Sequence, residues 1–210
     1  MAASLKNRVD TSAARALADE LRFLKTLFVN PRLTGAVSPS GRFLARAMAR
    51  AVGATGEGLV VELGPGTGPV TKALIAHGVD EKQLVLVEYE AAFCRLLRQR
   101  FPGVQVLQGD AFDLPRTLAG LAGRRVRAIV SSLPLLNQPP ARRAALIENA
   151  FAIMTKGGVF VQFSYGVASP IPHPAGGGVS AHGGAPIWAN LPPARVWTYR
   201  AARHGEEEAG

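Results

Sequence analysis

Residues 60–68 read VVELGPGTG, and the order of their types decides the fold. A short apolar run comes first, then a carboxylate, Glu62, then glycines at alternate positions, Gly64, Gly66 and Gly68. An unbroken Val/Leu run is a strand buried on both faces, as in a parallel sheet. Glycines directly after such a strand let the chain turn sharply and let its backbone approach a ligand closely. A helix is expected to open at about residue 68 and run to 77.

Working outward, the same alternation repeats. Strands are predicted at 58–63, 83–88 (QLVLVE), 104–108 (VQVLQ), 126–132 (VRAIVSS) and 159–165 (VFVQFSY). Helices are predicted at about 41–51, 90–101, 115–122 and 140–155, with Ser40 as a cap for the first and Phe101-Pro102 closing the second. Strands alternating with helices imply a parallel sheet covered on both faces. Lys156-Gly157-Gly158 is read as the turn into the fifth strand. Residues 166–186 are rich in Pro, Gly, Ser and Ala and are read as a flexible loop or lid. PIWANL (186–191) and ARVWTYRA (194–201) are read as a closing hairpin at the sheet edge.

Two further acids follow the strands in order. Glu88 ends the second strand, twenty residues beyond Gly68, where a carboxylate can bridge ribose hydroxyls. Asp110 follows the third strand in QGDAF, placed to accept from an adenine amino group. A nicotinamide dinucleotide enzyme is the competing reading. Its turn is G-x-G-x-x-G, with a helix dipole facing a pyrophosphate. Here the spacing is G-x-G-x-G, and Glu62 would repel a pyrophosphate. The same carboxylate attracts the ammonium and sulfonium of S-adenosylmethionine. The sign of that interaction favours the methyl donor.

Over residues 36–200 the chain resembles the class I S-adenosylmethionine-dependent methyltransferases. Glu62, Gly64, Gly66, Gly68, Glu88 and Asp110 carry the resemblance. It implies a Rossmann-like α/β fold: a seven-stranded, mostly parallel sheet with its last strand antiparallel and helices on both faces. It implies that Glu62 and the glycine turn, with Thr67, hold the methionine part of the donor. Glu88 and Tyr89 would take the ribose, Asp110 and the Ala111 backbone the adenine, and Ser38 and Ser131 would complete the donor set. The product would be S-adenosylhomocysteine, and no metal is expected.

SSLPLLN (131–137) stands where ribosomal RNA adenine dimethylases carry an Asn-led motif with an aromatic residue. Here serine replaces the asparagine, and Leu135 replaces the ring that stacks on a flipped base. With AVSPSGRFLARAMA (36–49), QFSYG (162–166) and NLPPARVWTYR (190–200), the chain is similar to the bacterial phospholipid N-methyltransferases. That likeness implies methylation of phosphatidylethanolamine, and of its mono- and dimethyl forms, toward phosphatidylcholine. It places Ser132, Leu133 and Tyr165 at the acceptor, with Phe163, Trp197 and Tyr199 nearby and His173 as a weaker proton relay. RNA adenine methylation and a catalytically silent adenosyl-binding protein are the alternatives.

Net charge is +9, from 24 Lys+Arg against 15 Asp+Glu, which favours a polyanionic partner such as an anionic membrane or nucleic acid. Residues 11–29 read as an amphipathic helix. Leu17, Leu21, Leu24 and Phe28 form one stripe, with Arg8, Arg15, Arg22 and Lys25 among the cations around it. Packing on the domain, insertion at a bilayer surface and an RNA-binding arm are its three readings; a membrane-bound substrate favours the second. The expected organisation is therefore a membrane-interfacial helix (1–32), a methyltransferase domain (33–203) and a solvated tail (204–210). MAASLKNRVD shows no secretory leader, and Cys94 is the sole cysteine, read as a small buried residue. The expected place is the cytoplasm, peripherally bound to the inner face of the membrane. No nucleic-acid partner is favoured, and the oligomeric state is left open.

Overall fold

The computed structural model of the protein describes residues 39–172, 178–190 and 192–201. The predicted helix at 11–29 with its membrane-facing residues, Ser38, His173 and the tail from 204 lie outside the described residues.

Seven strands form one sheet, in the order β3-β2-β1-β4-β5-β7-β6. These are β1 (Leu59–Leu63), β2 (Leu84–Glu88), β3 (Gln105–Gln108), β4 (Val126–Ser131), β5 (Met154–Ser164), β6 (Val179–Gly183) and β7 (Arg195–Ala201). β1 to β5 pair in parallel, and β7 runs antiparallel to both of its neighbours. Among the described residues five α-helices pack around them: α1 (Pro39–Val52), which precedes β1, α2 (Pro69–Ala76), α3 (Ala91–Arg100), α4 (Leu114–Thr117) and α5 (Pro140–Ile153).

Alternate side chains of each strand serve opposite layers. Val60, Leu86, Val130 and Val161 pack with Met48 of α1, Leu74 of α2 and Leu97 of α3. Val61, Val87, Ile129 and Phe160 pack with Leu114 of α4 and with Leu146 and Ile147 of α5. The sheet is thus buried on both sides, as its continuous apolar strands required. Among the described residues no helix is long and apolar enough to cross a membrane.

Three local expectations need correction. The stretch at 156–158 is not a plain turn before the fifth strand, because β5 already begins at Met154. Between Val126↔Met154 and Ala128↔Val159 β4 advances two residues while β5 advances five, a bulge with Gly157 at φ 83°. The closing hairpin is also differently made. β7 pairs with β6, which lies inside the stretch read as a loop, whereas 186–191 contributes an isolated bridge, Ile187↔Ala194. Strand signals at 179–183 were hidden by its small and polar residues, VSAHG, which sit at an edge and are not fully buried. Finally, the helix at 115–122 is a short α4 followed by a 3-10 turn at Ala119–Leu121.

Gly68 shows why one glycine of the turn is structural. Its φ is +84°, and a Cβ there would lie 2.6 Å from Phe101 Cε2 and 3.1 Å from Leu97 Cδ2. A side chain adds left-handed strain to overpacking against α3. Gly68→Val is expected to cost about 2–5 kcal/mol of folding stability, from those two effects together. A urea unfolding midpoint within error of the wild type would contradict this packing.

Candidate active site

β1, β2, β3 and β4 end along one edge of the sheet, and the strand order reverses between β1 and β4. Ligands of open α/β sheets bind outside the carboxyl ends of the strands at such a reversal. The glycine turn leaves β1 there. Gly64 N–H donates to Val87 O (2.9 Å), and Gly68 N–H donates to Pro65 O (2.8 Å), closing it. Gly66 has a φ of +56°, and a Cβ added to it would meet nothing within 4 Å. Gly64 differs again: its Cβ would lie 2.7 Å from Leu133 Cδ2, so it permits close approach of the loop after β4.

Glu62 is fully buried in the α1–α3 layer. Thr71 of α2 donates to its Oε2 (2.7 Å), while Oε1 has no hydrogen-bond partner. Burial pushes its pKa up to about 8, against the opposing effect of hydrogen bonds from Thr71 and with a further upward push from Glu88. A buried acceptor without a donor is costly unless something fills the place.

Glu88 is buried at the end of β2, where its carboxylate ties two turns together. Its Oε2 accepts from Gly66 N–H and its Oε1 from Glu90 N–H, both at 3.0 Å. Tyr89, next along, is 71% exposed. Asp110 folds its own loop: Oδ1 accepts from Phe112 N–H (2.8 Å), and Oδ2 lies 3.6 Å from the Arg142 guanidinium. Arg142 in turn stands over the Phe112 ring, 4.2 Å from its centroid.

These side chains meet around a cleft of about 330 Å³, whose walls include Gly64, Glu88, Tyr89, Asp110, Ala111 and Leu133. Gly66 does not line it but donates its N–H to Glu88, which does. Glu62, Thr67, Gly68, Ser131, Ser132 and Tyr165 are not part of its lining. Ser131 is buried, and its Oγ accepts from Leu133 N–H (3.4 Å); Ser132 Oγ is buried without a partner. Phe163 and Tyr165 of the β5 end meet edge to face, 5.5 Å apart at 79°, and pack on the α1 side. Trp197 donates from Nε1 to Ser164 Oγ (3.1 Å). Tyr199 is 2% exposed, edge-on to Phe160 with its hydroxyl 2.8 Å from Ser169 Oγ, so it is a core residue. Leu135 is also core, 2% exposed in the α5 layer.

Three residues of this region went unread in the sequence. Gln162, 1% exposed, donates from Nε2 to Leu133 O (3.0 Å) and Phe163 O (2.8 Å), pinning the loop after β4 to β5. An amide inside the apolar run VFVQFSY was the available signal. Thr71 and Arg142 gave no such signal, since each sits at an ordinary helical position. Cys94 is fully buried on α3, as its size and setting suggested.

A methyltransferase-domain family model matches residues 60–158. An ornithine lipid N-methyltransferase of Singulisphaera acidiphila is 29% identical over 149 residues, covering 70% of this chain and 78% of that protein. A ribosomal RNA small subunit methyltransferase A of Synechococcus sp. is 48% identical over 59 residues, 27% of this chain and a fifth (20%) of that relative. Among solved structures, the glycopeptide N-methyltransferase MtfA complexed with S-adenosylmethionine superposes with a TM-score of 0.60 at 15% identity. The match covers 79% of this chain and 96% of that one. An O-methyltransferase from Bacillus cereus in complex with S-adenosylhomocysteine gives 0.59 at 17%, covering 88% and 90%. The two structural likenesses show the shared fold. With the matching domain model, the chain carries a methyltransferase domain over residues 60–158 and has the class I S-adenosylmethionine-dependent methyltransferase fold.

Proposed function

We propose that this enzyme methylates the head-group amine of a membrane lipid, phosphatidylethanolamine and its mono- and dimethyl forms. The observation that carries the reading is the span of the lipid N-methyltransferase relative, 78% of its length against 20% for the ribosomal RNA enzyme. The burial of Leu135 agrees with it, because that position offers no ring or open face on which a base could stack.

In this reading each acid has one donor group to hold. The unpartnered Oε1 of Glu62 faces the donor's ammonium, and Gly64, Gly66, Thr67 and Gly68 shape the turn around the methionine part. Glu88 accepts from the ribose hydroxyls, with Tyr89 beside it. Asp110 and the Ala111 backbone take the adenine, and Ser131 supports the loop after β4. When bound, the donor supplies an electrophilic sulfonium methyl group. Ser132, Leu133 and Tyr165 then orient the acceptor nitrogen. A free alkylammonium holds its proton to a pKa of about 10.4, as lysine does, so the head group must be deprotonated before it attacks. In the same reading, a low-dielectric setting beside Phe163 disfavours the ammonium, and Tyr165 relays its proton. Alignment and desolvation supply most of the acceleration. The lipid reading also assigns residues 1–32 to the inner face of the cytoplasmic membrane, with Arg8, Arg15, Arg22 and Lys25 toward anionic head groups and Leu17, Leu21, Leu24 and Phe28 toward the acyl region.

Radiolabelled methyl transfer decides among acceptors. Vesicles of phosphatidylethanolamine, vesicles of ornithine lipid and small-subunit ribosomal RNA are offered separately. Label is expected in the phosphatidylethanolamine fraction. Label confined to ornithine lipid narrows the acceptor to an amine without a phosphate and overturns the phospholipid assignment; label confined to RNA overturns the lipid reading as a whole.

A further inference from the structure

We propose that the outward face of α1 is a docking surface for an anionic lipid bilayer, separate from the N-terminal residues already considered. The proposal rests on the lipid reading of the acceptor, and it is carried by the composition and burial of this helix.

α1 reads PSGRFLARAMARAV. Leu44, Ala45, Met48, Ala49 and Val52 are buried against the sheet. Arg42, Arg46 and Arg50 are exposed. Their four-residue spacing stacks them in one row along the helix. The helix holds no acidic residue, and among the described residues no ion pair involves any of the three. Three like charges at this spacing repel one another, so the row is unfavourable for the helix by itself. A negatively charged surface removes that repulsion and gains attraction from each arginine.

Exposed aromatic residues occur on α1 and in the segment bridged to Ala194, just before β7. Phe43, beside Arg42, is 44% exposed, and Trp188 is 77% exposed. Ile187, the neighbour of Trp188, packs on the apolar cluster that α1 seals, and so do Phe163 and Tyr165 of the β5 end. α1 packs on β5 and β7, so the arginine row lies on the far side of one helix, roughly 10–12 Å across with its side chains, from the face of the sheet it covers. Basic residues with exposed aromatic ones suit the head-group region of a bilayer. A lipid held with its tails in that bilayer needs its amine to travel a short way, and α1 lies between the two.

The test uses the full chain. Arg42→Gln/Arg46→Gln/Arg50→Gln is compared with the wild type and with the triple lysine variant in co-flotation with phosphatidylglycerol-containing vesicles and with neutral phosphatidylcholine vesicles. Each basic residue near an anionic leaflet contributes about a factor of five in binding, so the glutamine variant is expected to bind on the order of 100-fold more weakly. The lysine variant is expected to bind like the wild type, and added salt is expected to erase the difference. The glutamine variant is expected to unfold at the wild-type temperature or slightly above it, from relief of the like-charge repulsion, and S-adenosylhomocysteine binding is expected to stay unchanged, since the three side chains face away from the core. Unchanged affinity for the anionic vesicles overturns the proposal, as does an equal loss on neutral vesicles. A loss confined to homopolymer RNA, or to self-association in sedimentation, reassigns the face and overturns it equally. Methyl transfer to detergent-dispersed phosphatidylethanolamine tests the acceptor separately, because no bilayer is then required. Failure there with a 100-fold vesicle effect refutes the acceptor and leaves the surface standing.

Discussion

Glu88→Ala is expected to reduce affinity for S-adenosylhomocysteine by a factor on the order of 100 to 10,000, because two charge-assisted hydrogen bonds of about 1.5–3 kcal/mol each are lost. The carboxylate is already engaged with Gly66 N–H and Glu90 N–H, so it is fixed before a ligand arrives. Each oxygen has a further lone pair for a ribose hydroxyl. Alanine removes the acceptor and also releases both turns, so a loss of affinity by itself does not separate recognition from support. A double-mutant cycle with a ligand lacking the ribose hydroxyls does. The wild type should bind that analogue far more weakly than S-adenosylhomocysteine, whereas the alanine variant should bind the two alike. If the variant still discriminates between them, Glu88 holds the loops and not the ribose. Isothermal titration calorimetry reads both arms.

The two turns joined by Glu88 explain which parts of the site were legible in the sequence. Acids at strand ends are visible because strand ends are: Val/Leu runs bounded by Gly or a charge mark them without tertiary information. Glu62, Glu88 and Asp110 were found in that way, and the cleft brings the last two together with Gly64 and Ala111. What holds them in place was not legible. Thr71, Gln162 and Arg142 come from other elements, and their sequence positions look like ordinary helix or strand positions. The bulge at Gly157 and the pairing of β6 with β7 were missed for a related reason. Edge strands bury little, so their sequence is weakly constrained, and VSAHG resembles the glycine-rich stretch around it. Leu135 teaches the opposite lesson. The resemblance to the ribosomal RNA dimethylases implies an aromatic at the place of Leu135; the structure shows Leu135 packed into the α5 layer.

Glu62→Gln should separate stability from donor binding, in opposite directions. The fully buried carboxyl has its pKa raised from 4.5 to about 8, chiefly by desolvation. Between those values the folded chain retains a proton that the unfolded chain has released. Stability therefore falls as pH rises through that window, at up to about 1.4 kcal/mol per pH unit and about 5 kcal/mol in all. Below 4.5 both states are protonated and above about 8 both are ionised, so the effect is absent at the acid end and complete at the alkaline end. Glutamine keeps an acceptor for Thr71 and has no charge to bury. Its unfolding temperature should match the wild type near pH 5 and exceed it increasingly toward pH 8. Donor binding should show the reverse. Pairing with an ammonium ionises Glu62 and releases a proton, so wild-type affinity should rise with pH, approaching tenfold per unit. The comparison stops at about pH 7.5, because α-amino groups themselves lose a proton near 7.7–8.0. The glutamine variant should bind more weakly, with no slope below that limit. A wild-type affinity that is flat across this range, or a variant that is less stable at alkaline pH, would show that Glu62 is not held protonated in the free enzyme. In that event its unpartnered oxygen is no measure of a waiting ammonium site.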